Sequence, residues 1–469
     1  MTWNDWVGES WKYRAMIMSH FCRILQALKR SARYYWMNLN PINGNCVEKR
    51  ELERMTSMSD VYKVSEQAKG YPINGFVAPG YEPVLEVFKE NFLKRDEIGA
   101  ACAVFRGRTP VVDLWGGYRD KEKTELWQAD TMACVHSSTK AIMAIAMAMA
   151  ASRGYFRLDD TVASHWPEFA QNGKQDITIR QILDHSAGLP VVEELLTLEQ
   201  LADYEGLGEI LARQKTQWEP GTRHGYHGWT IGMYSNEIMR RTDPQGRTVG
   251  EFVREEILPF LKEEFYIGLP DAIPDDRIAT EIVTSKAMLA AVLSSPLMML
   301  SMMLPARLRK NSLMMDMLHN PAEAGQLDQF GTRELRRIEL PGGNGIGTAR
   351  AMAHIMGVCA AGGEALGISP ESIAEFERTH PNTGKHEVDA VMGERVLFQA
   401  GMMKPNSDLA SWLARPRCYF HGGGGGNFIF ADPDSNFGFG YCNNRMDIGL
   451  DFPRSDALIE VMLECELVS

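Results

Sequence analysis

The 469-residue chain is sparing with cysteine, and its eight (Cys22, Cys46, Cys102, Cys134, Cys359, Cys418, Cys442 and Cys465) include no C-x-x-C pair. That spacing excludes a dense disulfide scaffold and points to a reducing, intracellular setting, with cytoplasm and mitochondrion both open. H-E-x-x-H is missing, and the nearest histidine pair, His224 and His227, has no third ligand close in sequence, so no metal is expected. No G-x-G-x-x-G follows a strand and opens a helix, so neither a nucleotide site nor another cofactor is indicated. The serine elbow G-x-S-x-G is absent too, which removes an α/β-hydrolase. Positive charge is also short: the net charge is -12 and no basic stripe offsets it, so nucleic-acid binding is not expected.

Long apolar runs are equally scarce. The stretch AMLAAVLSSPLMMLSMML, from Ala287 to Leu304, carries no charge, but it is short for a bilayer and holds Pro296 at its middle. Buried helices or a greasy lid suit it better, since methionine makes adaptable apolar contacts. Near the amino terminus, Lys12, Arg14, Arg23, Lys29, Arg30 and Arg33 alternate with apolar residues and no acid intervenes. That pattern fits a mitochondrial presequence, a membrane-surface helix or a poorly ordered extension. Membrane-surface association through either segment is compatible with the sequence.

What remains is ordinary globular composition, 45% apolar and 23% charged. Residues 1–70 are expected to form an N-terminal extension and residues 71–469 one domain. Val84, Leu85, Val87, Phe88, Phe92 and Leu93 recur at helical spacing, and GAACAVFRGRTPVVDLWGGYRD reads as a hairpin. Helical patterns dominate from Thr139 to about Gly363. The chain then turns β-rich, with CYFHGGGGGNFIFADPDSNFGFGYCNN read as two strands joined around Pro433 and Asp434, before a last helix at 455–467. The expectation is an α/β (α+β) fold, its antiparallel sheet built from both ends of the chain and a helical subdomain inserted between them.

The chemistry sits in CVHSSTKAIMAIAMAMAAS, which starts at Cys134. Ser137 and Lys140 are three residues apart, so on a helix the hydroxyl and the amine share a face. An amine acts as base near neutral pH only if its pKa falls far, and burial in AIMAIAMAMAA would lower it. Small side chains on every side imply a helix enclosed by other elements. Taken alone, the pattern fits a helix cap with an incidental lysine nearly as well.

Order tips the balance. HSSTK is followed by ILDHSAGLP, WEPGTRHGYH, GGNGIGTARAMA and HGGGGG. This series resembles the serine β-lactamase and penicillin-binding-protein superfamily, and is most similar to its class C β-lactamase, D-peptidase and family VIII carboxylesterase branch, over about residues 71–465. The resemblance implies a β-lactamase/transpeptidase-like fold, with Ser137 as nucleophile, Lys140 as general base and Tyr226 as the tyrosine that moves protons. A rival, Tyr234 in YSN, lies inside the helical pattern WTIGMYSNEIMRR and lacks the preceding P-G loop, so Tyr226 is preferred.

His421, Gly422 and Gly423 stand where relatives carry K-T-G. They imply a strand lying against substrate, with the N–H groups of Ser137 and Gly424 as oxyanion hole. In isolation, five glycines read as a flexible turn. His421 in place of lysine is expected to be neutral and to donate to an ester or amide oxygen, which weakens the case for a substrate carboxylate. His136 and His185 are expected to be structural.

These residues together predict a serine acyl hydrolase, carboxylesterase-like, acting on a small-molecule ester or amide through an acyl-enzyme on Ser137. A D-amino-acid peptidase or amidase, a β-lactamase or a transacylase would use the same residues. Because some eukaryotic members of the superfamily polymerise, a structural assembly protein or a homo-oligomer also fits.

Overall fold

The structure is a computed structural model that describes residues 61–284, 313–321, 331–378, 388–406, 415–447 and 452–468. The basic N-terminal segment and the methionine-rich run at 287–304 lie outside the described residues.

Four strands precede the helical region: β1 (Tyr62–Ala68), β2 (Tyr71–Val77), β3 (Gly99–Arg106) and β4 (Thr109–Gly117). Five follow it: β5 (Leu397–Gln399), β6 (Met402–Lys404), β7 (Tyr419–Gly423), β8 (Asn427–Asp432) and β9 (Phe437–Asn443). They form one nine-stranded sheet in the order β1, β2, β4, β3, β9, β8, β7, β6, β5. Every pairing in it is antiparallel, and the two ends of the chain meet where β3 runs beside β9, with Ala103 opposite Gly440. The glycine-rich tail holds three strands, not the two expected, because Gly424–Gly426 make a tight turn and leave HGG and NFIFAD to pair as β7 and β8. The sheet also reaches back into the stretch expected to lie outside the domain. β1 was hidden because only Val64 and Ala68 of YKVSEQA are buried, a weak alternation for an edge strand.

Alternation sorts β3 onto two faces. Cys102 and Val104 join a core with Phe88 and Phe92 of α1 (Glu82–Lys94) and with Leu458 and Met462 of a C-terminal helix, Pro453–Val468. Ala103 and Phe105 face the opposite core, with the helical region. That region includes α2 (Thr139–Ser152), α3 (Thr230–Thr242) and α4 (Ala349–Ala360); the C-terminal helix is α5. α4 lies directly on β9 because FGFGYC puts Gly438 and Gly440 on the face it covers. A methyl at Gly438 would run into backbone atoms of Gly357 and Ala353, and one at Gly440 into Ala349.

The contact predicts that Gly438→Ala costs about 1–3 kcal/mol of stability, since neither backbone can yield. Urea unfolding reads this directly. A midpoint unchanged from the parent would refute the close packing of α4 on β9.

Candidate active site

A single 3₁₀ turn, His136–Ser138, leads straight into α2. His136 adopts a left-handed φ of +47°, a conformation that costs a residue with a side chain about 1–3 kcal/mol unless neighbours hold it. Thr139 Oγ1 donates to His136 O at 2.5 Å and accepts from Gly345 N–H at 2.8 Å. Val135 N–H donates to Gly345 O at 2.9 Å, and Ser138 Oγ donates to His421 O at 3.2 Å. The turn is thereby stapled to the 341–348 loop on one side and to β7 on the other.

Every residue of α2 from Thr139 to Ala150 is buried, as its small side chains imply. Lys140 is wholly enclosed. Its Nζ lies 3.1 Å from Ser137 Oγ, donates to Gly342 O and sits 4.7 Å from the centre of the Tyr226 ring. Burial alone drives its pKa well below the usual lysine value. Burial thus favours the uncharged amine, whose lone pair can accept the serine proton. On the other side of Ser137, the Tyr226 hydroxyl donates to Oγ at 2.7 Å. Burial pushes this phenol far up, partly offset by the bond to Ser137, so it stays protonated and acts as donor. Ser137 and Tyr226 keep partial exposure while Lys140 has none, so an approaching molecule can reach the first two and not the amine.

Two motifs separated in sequence build the tyrosine's loop together. Gly221 N–H donates to Ser186 O, Gly225 N–H to His185 O, and His227 N–H to His185 Nδ1 at 2.8 Å. Leu189 N–H donates in turn to His227 Nε2 at 3.0 Å. The loop around ILDHSAGLP is thus a template onto which GTRHGYH is laid, and Tyr226 is braced against Phe398 at 5.7 Å. His185 and His227 are structural in this geometry, and His224, bonded to Val396 O at 2.8 Å, is as well. Tyr234 is fully buried in α3 between Trp166 and Phe169, its hydroxyl 3.4 Å from Leu211 O, and does not reach Ser137.

β7 runs past the turn. Gly423 has no room for a side chain, because a Cβ there would meet Val135 O and Ser138 Oγ, and exposed Gly424 follows it beside the His136 ring. His421 corrects one expectation. It is buried, and burial together with nearby Lys140 lowers its pKa to about 3, so it is neutral as expected. Its Nδ1, however, lies 2.7 Å from Gly422 O, which can only accept. The proton is therefore on Nδ1, and Nε2 offers a lone pair, so His421 is an acceptor in this site and not the donor anticipated.

Sequence reasoning missed the groups that hold the glycine turn. Asn427 Nδ2 donates to Gly424 O at 2.8 Å, and Asn443 Nδ2 and Arg454 Nη2 to Gly425 O at 3.2 and 3.3 Å. Arg454, almost fully buried at the start of α5, is balanced by Glu97 at 2.7 Å and Asp447 at 2.8 Å. Nothing local marks Arg454, which reads as the first charge of a surface helix. Gly342 was within reach, since PGGNG signals a backbone loop. Asn344 fixes that loop by donating to Leu335 O and Ile338 O at 3.0 and 2.6 Å.

Comparison with known proteins decides the family: the family model described as Beta-lactamase matches residues 84–461. The chain belongs to the beta-lactamase family. It is a serine hydrolase of that family. It is 28% identical over 389 residues to "Esterase/beta-lactamase LipL" of Mycobacterium tuberculosis, covering 80% of this chain and 84% of that one. Among solved structures, a family VIII carboxylesterase superposes with a TM-score of 0.72 at 30% identity, over 84% of this chain and 99% of the other. A penicillin-binding protein homologue from Caulobacter crescentus gives 0.69 at 30% identity, over 84% and 99%. The large antiparallel sheet described above is that of a beta-lactamase/transpeptidase-like fold. No helix among the described residues is long and apolar enough to cross a membrane.

The buried amine makes a prediction about pH. Lys140 binds a proton in the unfolded chain up to about pH 10.5, the ordinary lysine value, and its proton is disfavoured on folding. Stability from this group therefore rises with pH through the window between the two pKa values. Lys140→Met should flatten the rise in unfolding free energy as the pH increases toward about 10.5. An identical slope in parent and variant would mean that the lysine is charged in the fold.

Proposed function

We propose that the protein is a carboxylesterase-like acyl hydrolase working through a covalent acyl-enzyme on Ser137. The observation that carries this reading is the position of Ser137 Oγ between an uncharged amine that can accept a proton and a phenol that can donate one. Lys140 takes the hydroxyl proton as Oγ bonds to the substrate carbonyl carbon. The N–H groups of Ser137 and Gly424 receive the developing oxyanion. Tyr226 gives its proton to the departing alkoxide and recovers one from the neighbouring Lys140 ammonium, which returns the amine to its uncharged form. Water then attacks the acyl-enzyme along the same route, releasing the acid and returning the proton to Ser137. Atoms and charges balance over the two halves: one ester and one water give one acid and one alcohol.

Small, uncharged esters are the preferred substrates. The support is electrostatic: β7 offers neutral His421 where K-T-G relatives have a cation to receive a carboxylate. The names of two relatives, an esterase/beta-lactamase and a family VIII carboxylesterase, point the same way. The first of those names also supports a secondary β-lactam activity on the same serine.

Ser137→Ala should lower turnover of p-nitrophenyl acetate by at least about a thousandfold and abolish labelling by a fluorophosphonate. Labelling that persists in the variant would place the nucleophile elsewhere. Tyr226→Phe should slow the same reaction by about 10²–10³ while Tyr234→Phe leaves it near the parent rate. The reverse ranking would remove Tyr226 from the proton path.

A further inference from the structure

Cys134, His136 and Glu281 converge beside the nucleophile turn and take no part in the chemistry described above. The thiol sulfur, an imidazole nitrogen and a carboxylate oxygen all lie within 4.8 Å of one another. All three are shielded from solvent: Cys134 and His136 are 5% and 6% exposed, and the Glu281 side chain 6%. Each is carried on fixed backbone. Cys134 ends the short strand Ala133–Cys134, paired with Ile346–Gly347; His136 opens the stapled turn; Glu281 precedes Ile282–Val283, paired with Arg445–Met446.

Thiolate, imidazole and carboxylate form the mixed S, N, O donor set that borderline-soft zinc takes. One thiolate and one carboxylate also neutralise a divalent ion, so the loaded site buries no net charge. A cavity of about 420 Å³ opens onto the cluster; Cys134, Glu281, Arg119, Asp275 and Arg336 are among its walls. It supplies a route for the ion and room for a water as fourth ligand.

We propose that Cys134, His136 and Glu281 form a three-ligand zinc site whose fourth position faces this cavity. Without the ion, His136 Nε2 and Glu281 Oε1 are 2.5 Å apart. A tetrahedron with bonds of about 2 Å has edges of about 3.3 Å, so the pair opens by less than about 1 Å to admit it. Zinc displaces two protons: the thiol proton leaves to solvent, and the proton shared by His136 Nε2 and Glu281 Oε1 moves to Nδ1 or leaves with it, which frees the Nε2 lone pair and the carboxylate for the metal. Because His136 directly precedes Ser137, an ion there anchors the left-handed residue at the nucleophile's elbow. The sequence hides the site: two ligands are two residues apart, and the third is far along the chain at the end of a loop.

The full-length protein, stripped with chelator and dialysed, is titrated with zinc and separately with cobalt(II). The site predicts uptake of one equivalent, a near-ultraviolet thiolate-to-cobalt absorption band and release of protons. Cys134→Ser should abolish the band. Glu281→Gln should keep the band and weaken zinc binding at least about tenfold, a lower bound for losing a direct ligand. Circular dichroism checks that both variants are folded. No stoichiometric uptake by the parent overturns the proposal, and so does a band that survives in Cys134→Ser, which would assign the metal to another cysteine. None of these readouts involves ester turnover, so the outcome is independent of the proposed esterase activity.

Discussion

The site depends on an amine without a counter-ion. Among the described residues no carboxylate reaches Lys140; its neighbours are one carbonyl, one hydroxyl and the face of a ring. Two other buried lysines show what a structural amine looks like in the same protein. Lys174 donates to three carbonyls, Gln171 O, Ala212 O and Gln214 O, and Lys404 to Phe376 O and Arg417 O; both pKa values fall only to about 8. An ammonium has three hydrogens to place, and Lys174 places all of them. Lys140 has a carbonyl for one and Ser137 Oγ for another contact, and that contact is better made the other way round, with the serine donating to a lone pair.

Keeping the amine uncharged constrains the fold around it. α2 must be covered on all sides, which accounts for its run of alanines and methionines and for the glycines that let the neighbours close in. A Cβ at Gly232 of α3 would collide with Gly342 N, and one at Gly401 would press on Ala144. The 341–348 loop can therefore lie against the base and present Gly342 O. Thr139, next to the lysine, then ties that loop to the turn, so the carbonyl partner of Lys140 and the backbone of Ser137 move as one unit.

Much of this was legible in the sequence, and unevenly. Ser137, Lys140 and Tyr226 each sit in a local motif, and the fold brings the three together; Tyr234, which lacks the preceding P-G loop, lies away from them. The β3–β4 hairpin and the meeting of both chain ends in one sheet followed from alternation and from the helical middle. Groups that act across long sequence distances left no local trace. Arg454 reaches the glycine turn from α5 and Glu97 balances it from the loop just before β3, so their partnership exists only after folding. The error over His421 had a different origin: a ring's identity is visible in sequence, but its tautomer is set by which backbone atom lies beside Nδ1.

The histidines around Tyr226 now have a common physical reason. His185, His227 and His421 are all buried with pKa values driven down, the last two to about 3. Each satisfies backbone polar groups that the tight loops leave without partners: His185 accepts from His227 N–H, His227 bridges Leu189 N–H and Gly225 O, and His421 donates to Gly422 O. An aspartate or glutamate could accept the same N–H bonds, but its negative charge would stabilise the protonated amine of Lys140 and return the proton that the site must shed. A lysine or arginine could serve the carbonyls, yet would add a second buried cation needing its own partner. A neutral imidazole both donates and accepts and carries no charge at working pH. Histidine is thus the residue that pairs these backbone groups while the space around Lys140 gains no further charge.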